Sequence, residues 1–420
     1  MTFSRLKSRL NARISIAKRL RNVVVWYLLF LMVSSRKHSI EAAGRFSELN
    51  KAQFSRLLRN HPETACYTLD ELSKKQAKRL SKALNWLSNQ KLPWKIAVLI
   101  DATIQHRSSL RTDNDQRFNH GKGLVIGHQW TNIVLLINDT IIPLPPIPFY
   151  SKKYCRNNGL EYATEHQRVV EYITQLQLRE YIGSHNPKEV VVLADSGYDD
   201  KKIETAIVGK KWQFIIALCH TRSVKSDKQY ANSPKSRGWR QVSAFFKCHR
   251  RLKWKTVRLQ TNRTKRKRMD FRIRDIIAHL RYVGKVRLVC SEFRKRPEGR
   301  RKYLACNDLK ASPRQILIGY RIRWKIEIFH KEVKMFFGFE DVAAKWFESV
   351  MAHVHWVYCA YILLHSLSPG PPELSVPEKQ RRLKTVIDNR EKSRVLQLLT
   401  QFDGPQRHKD ELREALSTSC

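Results

Sequence analysis

Acidic residues are scarce in this 420-residue chain, with 37 Asp and Glu against 80 Lys and Arg, a formal net charge of +43. That excess is far beyond what solubility requires and has the sign that attracts phosphate, so a polyanionic partner is expected. Paired cysteines are absent as well. The eight Cys are scattered, with no CxxC pair and no Cys/His cluster at zinc spacing. This argues against a disulfide scaffold and a structural zinc, and fits a reducing cytoplasm. Long apolar runs are also missing. Val23 to Val33 is too short to span a bilayer of roughly 30 Å as a helix. Basic residues precede it, as in a signal peptide, but no clean small-residue cleavage site follows before Ser34 to Lys37, and it reads as a buried helix. The apolar stretch from His355 to Leu367 is short and dotted with His, which reads as core, and no internal repeat is visible.

What is present is a sizeable core. Hydrophobic residues make up 42% of the chain and include 10 Trp, enough for two or three domains. Ribosomal and membrane-surface proteins share the basic bias but rarely combine it with this length and these apolar runs, so nucleic acid is the expected partner. Residues 1–92 read as a basic helical, DNA-binding region, with Phe46, Leu49, Phe54, Leu57 and Leu58 at helical spacing. Residues 93–220 read as the first part of an α/β core. Ile96 to Asp101 is an apolar run ending in an acid. Gly123 to Trp130 and Asn132 to Asp139 read as antiparallel partners joined by a tight turn at Thr131. A helix from about Ala163 to Ile182 then leads to a buried strand at Val190 to Tyr198, a helix at Lys201 to Val208 and a strand at Trp212 to Leu218. Antiparallel strands followed by helix and parallel strands is the order of a ribonuclease-H-like mixed sheet with flanking helices. Residues 221–310 read as a basic, strand-rich insertion, with 21 Lys or Arg and 4 acids between Arg250 and Lys302. Residues 311–344 hold a helical segment and residues 345–420 a helical C-terminal region.

Phosphodiester cleavage by two metals needs carboxylates converging from different elements, because hard cations take oxygen ligands. Asp101 and Asp195 stand at strand ends, and Glu327 lies in a segment opened by Ser312-Pro313 and closed by Gly338. A lone Asp at a strand end more often caps a turn. The third carboxylate shifts the balance. Drawn as one helix, the segment puts Tyr320, Arg323, Glu327 and Lys334 on one narrow stripe, with Ile322, Ile326, Phe329, Val333 and Phe336 opposite. One helix and two abutting helices both fit the pattern.

The spacing of Tyr320, Arg323, Glu327 and Lys334 resembles the Y-R-E-K signature of a large family of bacterial insertion-sequence DDE transposases. VLIDATIQ around Asp101 and LADSGY around Asp195 are similar to that family's other two motifs, in the same order. The resemblance spans about residues 95–340. It implies a ribonuclease-H-like core in which Asp101, Asp195 and Glu327 hold two Mg²⁺, with Mn²⁺ as a substitute, and it implies cleavage and strand transfer on double-stranded DNA by a homodimer. It also implies that Tyr320, Arg323 and Lys334 contact phosphates, and that an aromatic residue of the insertion stacks on a displaced base. Trp239 and Trp254 are of the right type, although single Trp residues are more often core. Lys265, Arg266, Lys267 and Arg268 lie in a basic run that either tracks DNA backbone or forms a solvated loop. His106, His120 and His128 match no metal-ligand spacing. Two other readings remain open: a ribonuclease-H-like nuclease that cuts without joining, and a non-catalytic DNA-binding protein such as a decayed transposase or a repressor of transposition.

Overall fold

The structure, a computed structural model, describes residues 1–34, 38–47, 49–87, 92–108, 110–119, 123–232, 238–249, 252–260, 268–293, 301–342, 344–371, 374–401, 406 and 410. The chain divides into two compact units: residues 73–331, and a unit made of residues 1–72 and 332–420. Five helices come first: α1 (Phe3–Arg13), α2 (Lys18–Val33), α3 (Ile40–Phe46), α4 (Lys51–Asn60) and α5 (Pro62–Ser81). Five strands follow: β1 (Ile96–His106), β2 (Gln116–Asn119), β3 (Leu124–Ile137), β4 (Thr140–Pro143) and β5 (Ile147–Pro148). Next are α6 (Lys152–Asn157), α7 (Glu165–Gln175), α8 (Leu178–Ile182), β6 (Val190–Ala194), α9 (Lys201–Gly209) and β7 (Gln213–Leu218). The basic stretch contains β8 (Ser223–Ser226), α10 (Asp227–Asn232), β9 (Arg240–Gln241), α11 (Val242–Cys248), β10 (Lys255–Gln260), β11 (Arg268–Leu280), β12 (Gly284–Phe293) and β13 (Lys302–Cys306). The last helices are α12 (Pro313–Ile322), α13 (Trp324–Phe336), α14 (Phe347–Leu367) and α15 (Val376–Gln401).

In the unit of residues 73–331, one mixed sheet runs β2-β3-β1-β6-β7-β13-β12-β11-β8-β9. β3 is antiparallel to β1, and β6 and β7 run parallel to β1, which is the ribonuclease-H-like order expected from the sequence. Two local expectations are corrected. The two strands expected on either side of Thr131 are one continuous strand, β3, because β1 runs on to His106 and pairs with it from Ile96↔Ile137 to His106↔Gly127. Thr131 lies opposite Ala102 in that ladder and makes no turn. The expected helix from Ala163 to Ile182 is two helices, with α7 ending at the cap residue Leu176 and α8 starting at Leu178.

The strands between β7 and α12 extend the same sheet, since β13 pairs antiparallel with β7 from Tyr303↔Leu218 to Cys306↔Ile215. Both faces of the central strands are covered, which explains why they are apolar throughout rather than alternating. Ile96, Val98, Ile100, Val190, Val192 and Ile216 share one core with Val169 and Ile173 of α7 and Ile203 and Ile207 of α9. On the opposite face, α12 packs against β6, β7, β12 and β13. Its close approach depends on Gly319, where an added Cβ would meet Ile215 Cδ1 at 2.6 Å and the Trp94 ring at 3.1 Å. Both neighbours are fully buried. Gly319→Ala is therefore expected to destabilise the protein by about 1–3 kcal/mol through overpacking. Urea unfolding checks this, and an unchanged midpoint would contradict the packing described.

In the other unit, α14 is buried among helices and contacts α1, α2, α4 and α15. It is the one described helix long and apolar enough to cross a membrane, but 83% of that window is buried within the protein. One of its buried polar side chains, His353, is bonded through both ring nitrogens. His353 Nδ1 bonds the Tyr27 hydroxyl at 2.7 Å, and His353 Nε2 lies 2.8 Å from the Gly338 carbonyl. The eleven apolar residues of α2 are likewise buried, as the sequence predicts.

Candidate active site

The parallel ladder between β1 and β6 ends at Ile100↔Ala194. Asp101 and Asp195 are the residues that follow this pair, one step beyond the last paired rung. Strands in this register are roughly 4.8 Å apart and send equivalent residues to the same face. That places both acids on the side of Leu99 and Leu193, the face covered by α12. Asp101 is not at the end of its strand, as the sequence suggested. β1 continues to His106, and what ends at Asp101 is its pairing with β6. Carboxyl edges of parallel strands are where open α/β sheets gather their sites.

The segment carrying Glu327 is two abutting helices. Ser312 caps α12 through a capping box with Gln315, and Pro313 sits in its first turn. The helix tightens at Arg323, whose N–H bonds Tyr320 O at 3.1 Å in an i−3 pattern, before α13 begins at Trp324. Despite this break, Tyr320, Arg323 and Glu327 gather at the two aspartates. Arg323 Nη1 is 3.5 Å from Asp101 Oδ2, and Arg323 Nη2 bonds Glu327 Oε1. The guanidinium lies 5.7 Å from the Tyr320 ring centroid.

Electrostatics tie the group together. Burial pushes the Asp101 carboxyl up to about 7, Arg323 opposes this, and the charges of Asp195 and Glu327 add to it. The Tyr320 hydroxyl is raised by burial and again by Asp195 and Glu327, with Arg323 opposing. Asp195 also caps the short turn after its strand, with Oδ1 accepting from Gly197 N at 2.8 Å. Carboxylates that raise one another electrostatically need compensating cations, and here Arg323 supplies one.

Sequence reasoning missed several neighbours. Lys302, at the start of β13, sits 5.3 Å from the Tyr320 ring centroid. Burial lowers its ammonium, Arg323 lowers it further, and Glu327 and Asp195 oppose both effects. Nothing in the sequence separates it from the surrounding basic residues. Glu165 on α7 accepts from Tyr198 Oη at 2.8 Å and Thr131 Oγ1 at 2.7 Å through one oxygen, and from Gln129 Nε2 at 2.7 Å through the other. Tyr198 belongs to the LADSGY motif, which was the available signal, and its hydroxyl is raised by burial, by Glu165 and by Asp101. His166 bonds the Gly197 carbonyl through Nε2 at 2.8 Å and Asp200 through Nδ1 at 3.2 Å, bracing the turn that bears Asp195.

Lys334 belongs to the helical unit and pairs with Glu340 at 3.1 Å. Trp254 is partly buried, with the guanidiniums of Arg272, Arg274 and Arg301 at 5.1, 4.6 and 5.7 Å from its ring centroid. Trp239 is partly buried, edge-on to Tyr230, with Lys225 Nζ 5.6 Å from its ring. Arg268 opens β11, its backbone paired with Gln260. Lys265, Arg266, Lys267 and His120 lie outside the described residues. His128 is buried against Asp115 and the Asp113 carbonyl, and burial lowers it to about 4.

Residues 161–363 match the family model of the transposase DDE domain. The chain carries a transposase DDE domain. The match includes Asp195, Tyr320, Arg323, Glu327 and Lys334 and begins after Asp101, which the sheet register brings to Asp195. No curated protein matches the chain. Transposases with this domain bind DNA and use divalent metal ions. The donor chemistry of this transposase fits such ions, because Asp101, Asp195 and Glu327 offer only carboxylate oxygens and the burial of Asp101 favours a neighbouring cation. Among the described residues, no three His, Cys, Asp or Glu already stand close enough to close on one ion. The guanidinium of Arg323 pairs with two of the three carboxylates.

Proposed function

We propose that this transposase belongs to the Y-R-E-K group and performs cut-and-paste transposition, cleaving the ends of an insertion sequence and transferring them to target DNA. The observation that carries the reading is the meeting of Asp101 and Asp195 at the end of one parallel ladder with Arg323 and Glu327. Asp101, Asp195 and Glu327 would hold two Mg²⁺ or Mn²⁺ ions. When bound, such ions make water or a 3′-hydroxyl a competent nucleophile and stabilise the leaving oxygen. Arg323 draws Asp101 and Glu327 together and has a planar fork suited to a phosphate. Tyr320 stands beside it and orients the DNA strand. Glu165, through Thr131 and Tyr198, stiffens the strands behind Asp101.

The partner in this reading is double-stranded DNA, both element ends and target, engaged by a homodimer in the bacterial cytoplasm at the nucleoid. Lys334 and the run Lys265, Arg266, Lys267 and Arg268 neutralise backbone phosphate, and the helices of residues 1–92 grip the element end. Trp254, with Arg272, Arg274 and Arg301 around its ring, and Trp239, beside Tyr230 and Lys225, are both of the type that stacks on a displaced base.

The test is Mg²⁺-dependent cleavage of DNA bearing the element's terminal repeats, comparing the native protein with Glu327→Ala. Cleavage and strand transfer by the native protein, with a variant that binds without cutting, is the expected result. Cleavage without joining favours a plain nuclease. Binding without cleavage by both proteins, over varied metals, overturns the catalytic reading in favour of a non-catalytic DNA-binding protein.

A further inference from the structure

The helical unit contains a cavity of ≈ 630 Å³ lined by the end of α2, His38, the last turn of α13 and the first turns of α15. Its polar lining includes three cations, Lys334, Arg381 and Lys384, together with His38, Ser34, Gln380 and Asp341. Arg381 and Lys384 are exposed and three residues apart on α15, so they share a helix face. Gln380 is held in place by its Nε2, which donates to the Phe336 carbonyl at 2.8 Å.

His38 supplies the second, independent observation. Its side chain is 5% exposed, and Nε2 is buried with no hydrogen-bond partner among the described residues. The rest of the residue is firmly held. Asp341 Oδ2 accepts the His38 backbone N–H at 2.9 Å and faces Nδ1 at 3.2 Å. His38 packs so tightly on Gly338, at φ +68°, that a Cβ there would fall 2.4 Å from the ring. Asp341 is the one acid among the described lining residues, and His38 holds its carboxyl below the ordinary range, chiefly through the side-chain hydrogen bond. With Nδ1 donating to that carboxylate, the ring can also donate from Nε2 when it is charged, and an anion in the cavity completes that pattern. A buried polar nitrogen left unpaired is costly.

We infer that this cavity is a phosphate-binding pocket, in which His38 Nε2, Lys334, Arg381 and Lys384 close on one phosphate group. Guanidinium and ammonium groups supply charge-assisted hydrogen bonds, and a buried imidazole sets orientation. The size suits a sugar-phosphate rather than a bare ion. The phosphate comes either from the backbone of bound DNA or from a small phosphate compound. The DNA source rests on the proposed function, and the pocket itself does not.

The experiment uses the full chain with ¹⁵N-labelled histidine, the His38 signals being assigned by their loss in His38→Gln. Pyrophosphate and a random-sequence DNA duplex are titrated separately in the absence of divalent ions. The expected result is a saturable shift of the His38 Nε2 signal, with affinity weakened about tenfold in Arg381→Gln/Lys384→Gln, whose changed side chains are exposed. If the duplex moves the signal, the salt slope of its binding should also fall by about 1 in that variant. A response to DNA assigns the backbone as the source, and a response to pyrophosphate alone assigns a small phosphate compound. No response to either ligand, or a response unchanged in the double variant, overturns the pocket. Because no cleavage is involved, failure of the catalytic reading leaves this outcome untouched.

Discussion

Asp101→Asn is expected to lower metal-dependent DNA cleavage by about 10³-fold or more while leaving DNA affinity within about twofold. The large effect follows from what a metal carboxylate does: bound cations contribute several kcal/mol of transition-state charge stabilisation, and each 1.36 kcal/mol is tenfold in rate. Asn keeps the shape of Asp but removes the charge that, in the proposed function, completes an oxygen-only ligand set with Asp195 and Glu327. Binding is spared because the DNA is gripped by cations elsewhere on a +43 chain, and one buried acid at the sheet edge adds little to that field. The neutral substitution has a diagnostic stability effect. Asp101 is pushed up to about 7 by burial, so an amide at this position relieves a buried charge and the variant should unfold no earlier than the native protein. The measurement is single-turnover cleavage together with thermal unfolding. Near-native cleavage by a folded variant would remove Asp101 from the chemistry.

Arg222→Ala is expected to cost about 3–5 kcal/mol of stability, because it strands Glu204 as a buried acid without its cation. Glu204 is fully buried on α9, Arg222 bonds it directly, and Arg222 Nη1 lies 3.4 Å from Asp199. Asp199 in turn accepts the Cys219 N–H at 2.8 Å, joining the end of β7 to the turn that bears Asp195. Burial raises the Glu204 carboxyl to about 8, with Arg222 opposing and Asp199 adding. The folded pKa therefore lies above the ordinary value of 4.5. A group raised in this way contributes stability that is complete below the ordinary value and is lost as pH rises through about 8. Removing Arg222 takes away the opposing charge, so the variant should fall furthest below the native protein at the alkaline end of that window. Urea unfolding at several pH values checks both the size and the slope. A deficit that shrinks as pH rises would show that Glu204 is ionised and well solvated without Arg222.

Much of the catalytic unit was legible in the chain itself. The apolar runs at Ile96 to Ile100 and Val190 to Ala194 have the pattern of strands buried on both faces, and the acid after each run stands where their pairing with each other ends. Ser312-Pro313 and Gly338 framed the helical segment of Glu327 because capping and left-handed backbone have strict side-chain preferences. The local misreadings share a physical origin. At Thr131, and between Gln175 and Leu178, periodicity describes the face a residue turns to the core but not whether the partner element continues beside it. β3 is unbroken because β1 is equally long, a fact held in neither segment alone.

Composition and motif order determined by themselves that the protein is basic and that it has a mixed α/β core, and they singled out three carboxylates, a Tyr and an Arg as candidates for one site. Charge imbalance, apolar period and residue spacing are properties of the linear chain. Only the tertiary structure decided that the Asp101 and Asp195 positions follow the same rung of a ladder, that Arg323 pairs with two acids of the triad, and that Glu165, Lys302 and Tyr198 stand behind them. It likewise placed His38 beside Lys334, Arg381 and Lys384, residues that come from three distant stretches of sequence. Burial and Coulomb interaction act through space, so pairings made across the sheet, or between helices hundreds of residues apart in the chain, are written in register and packing, not in local pattern.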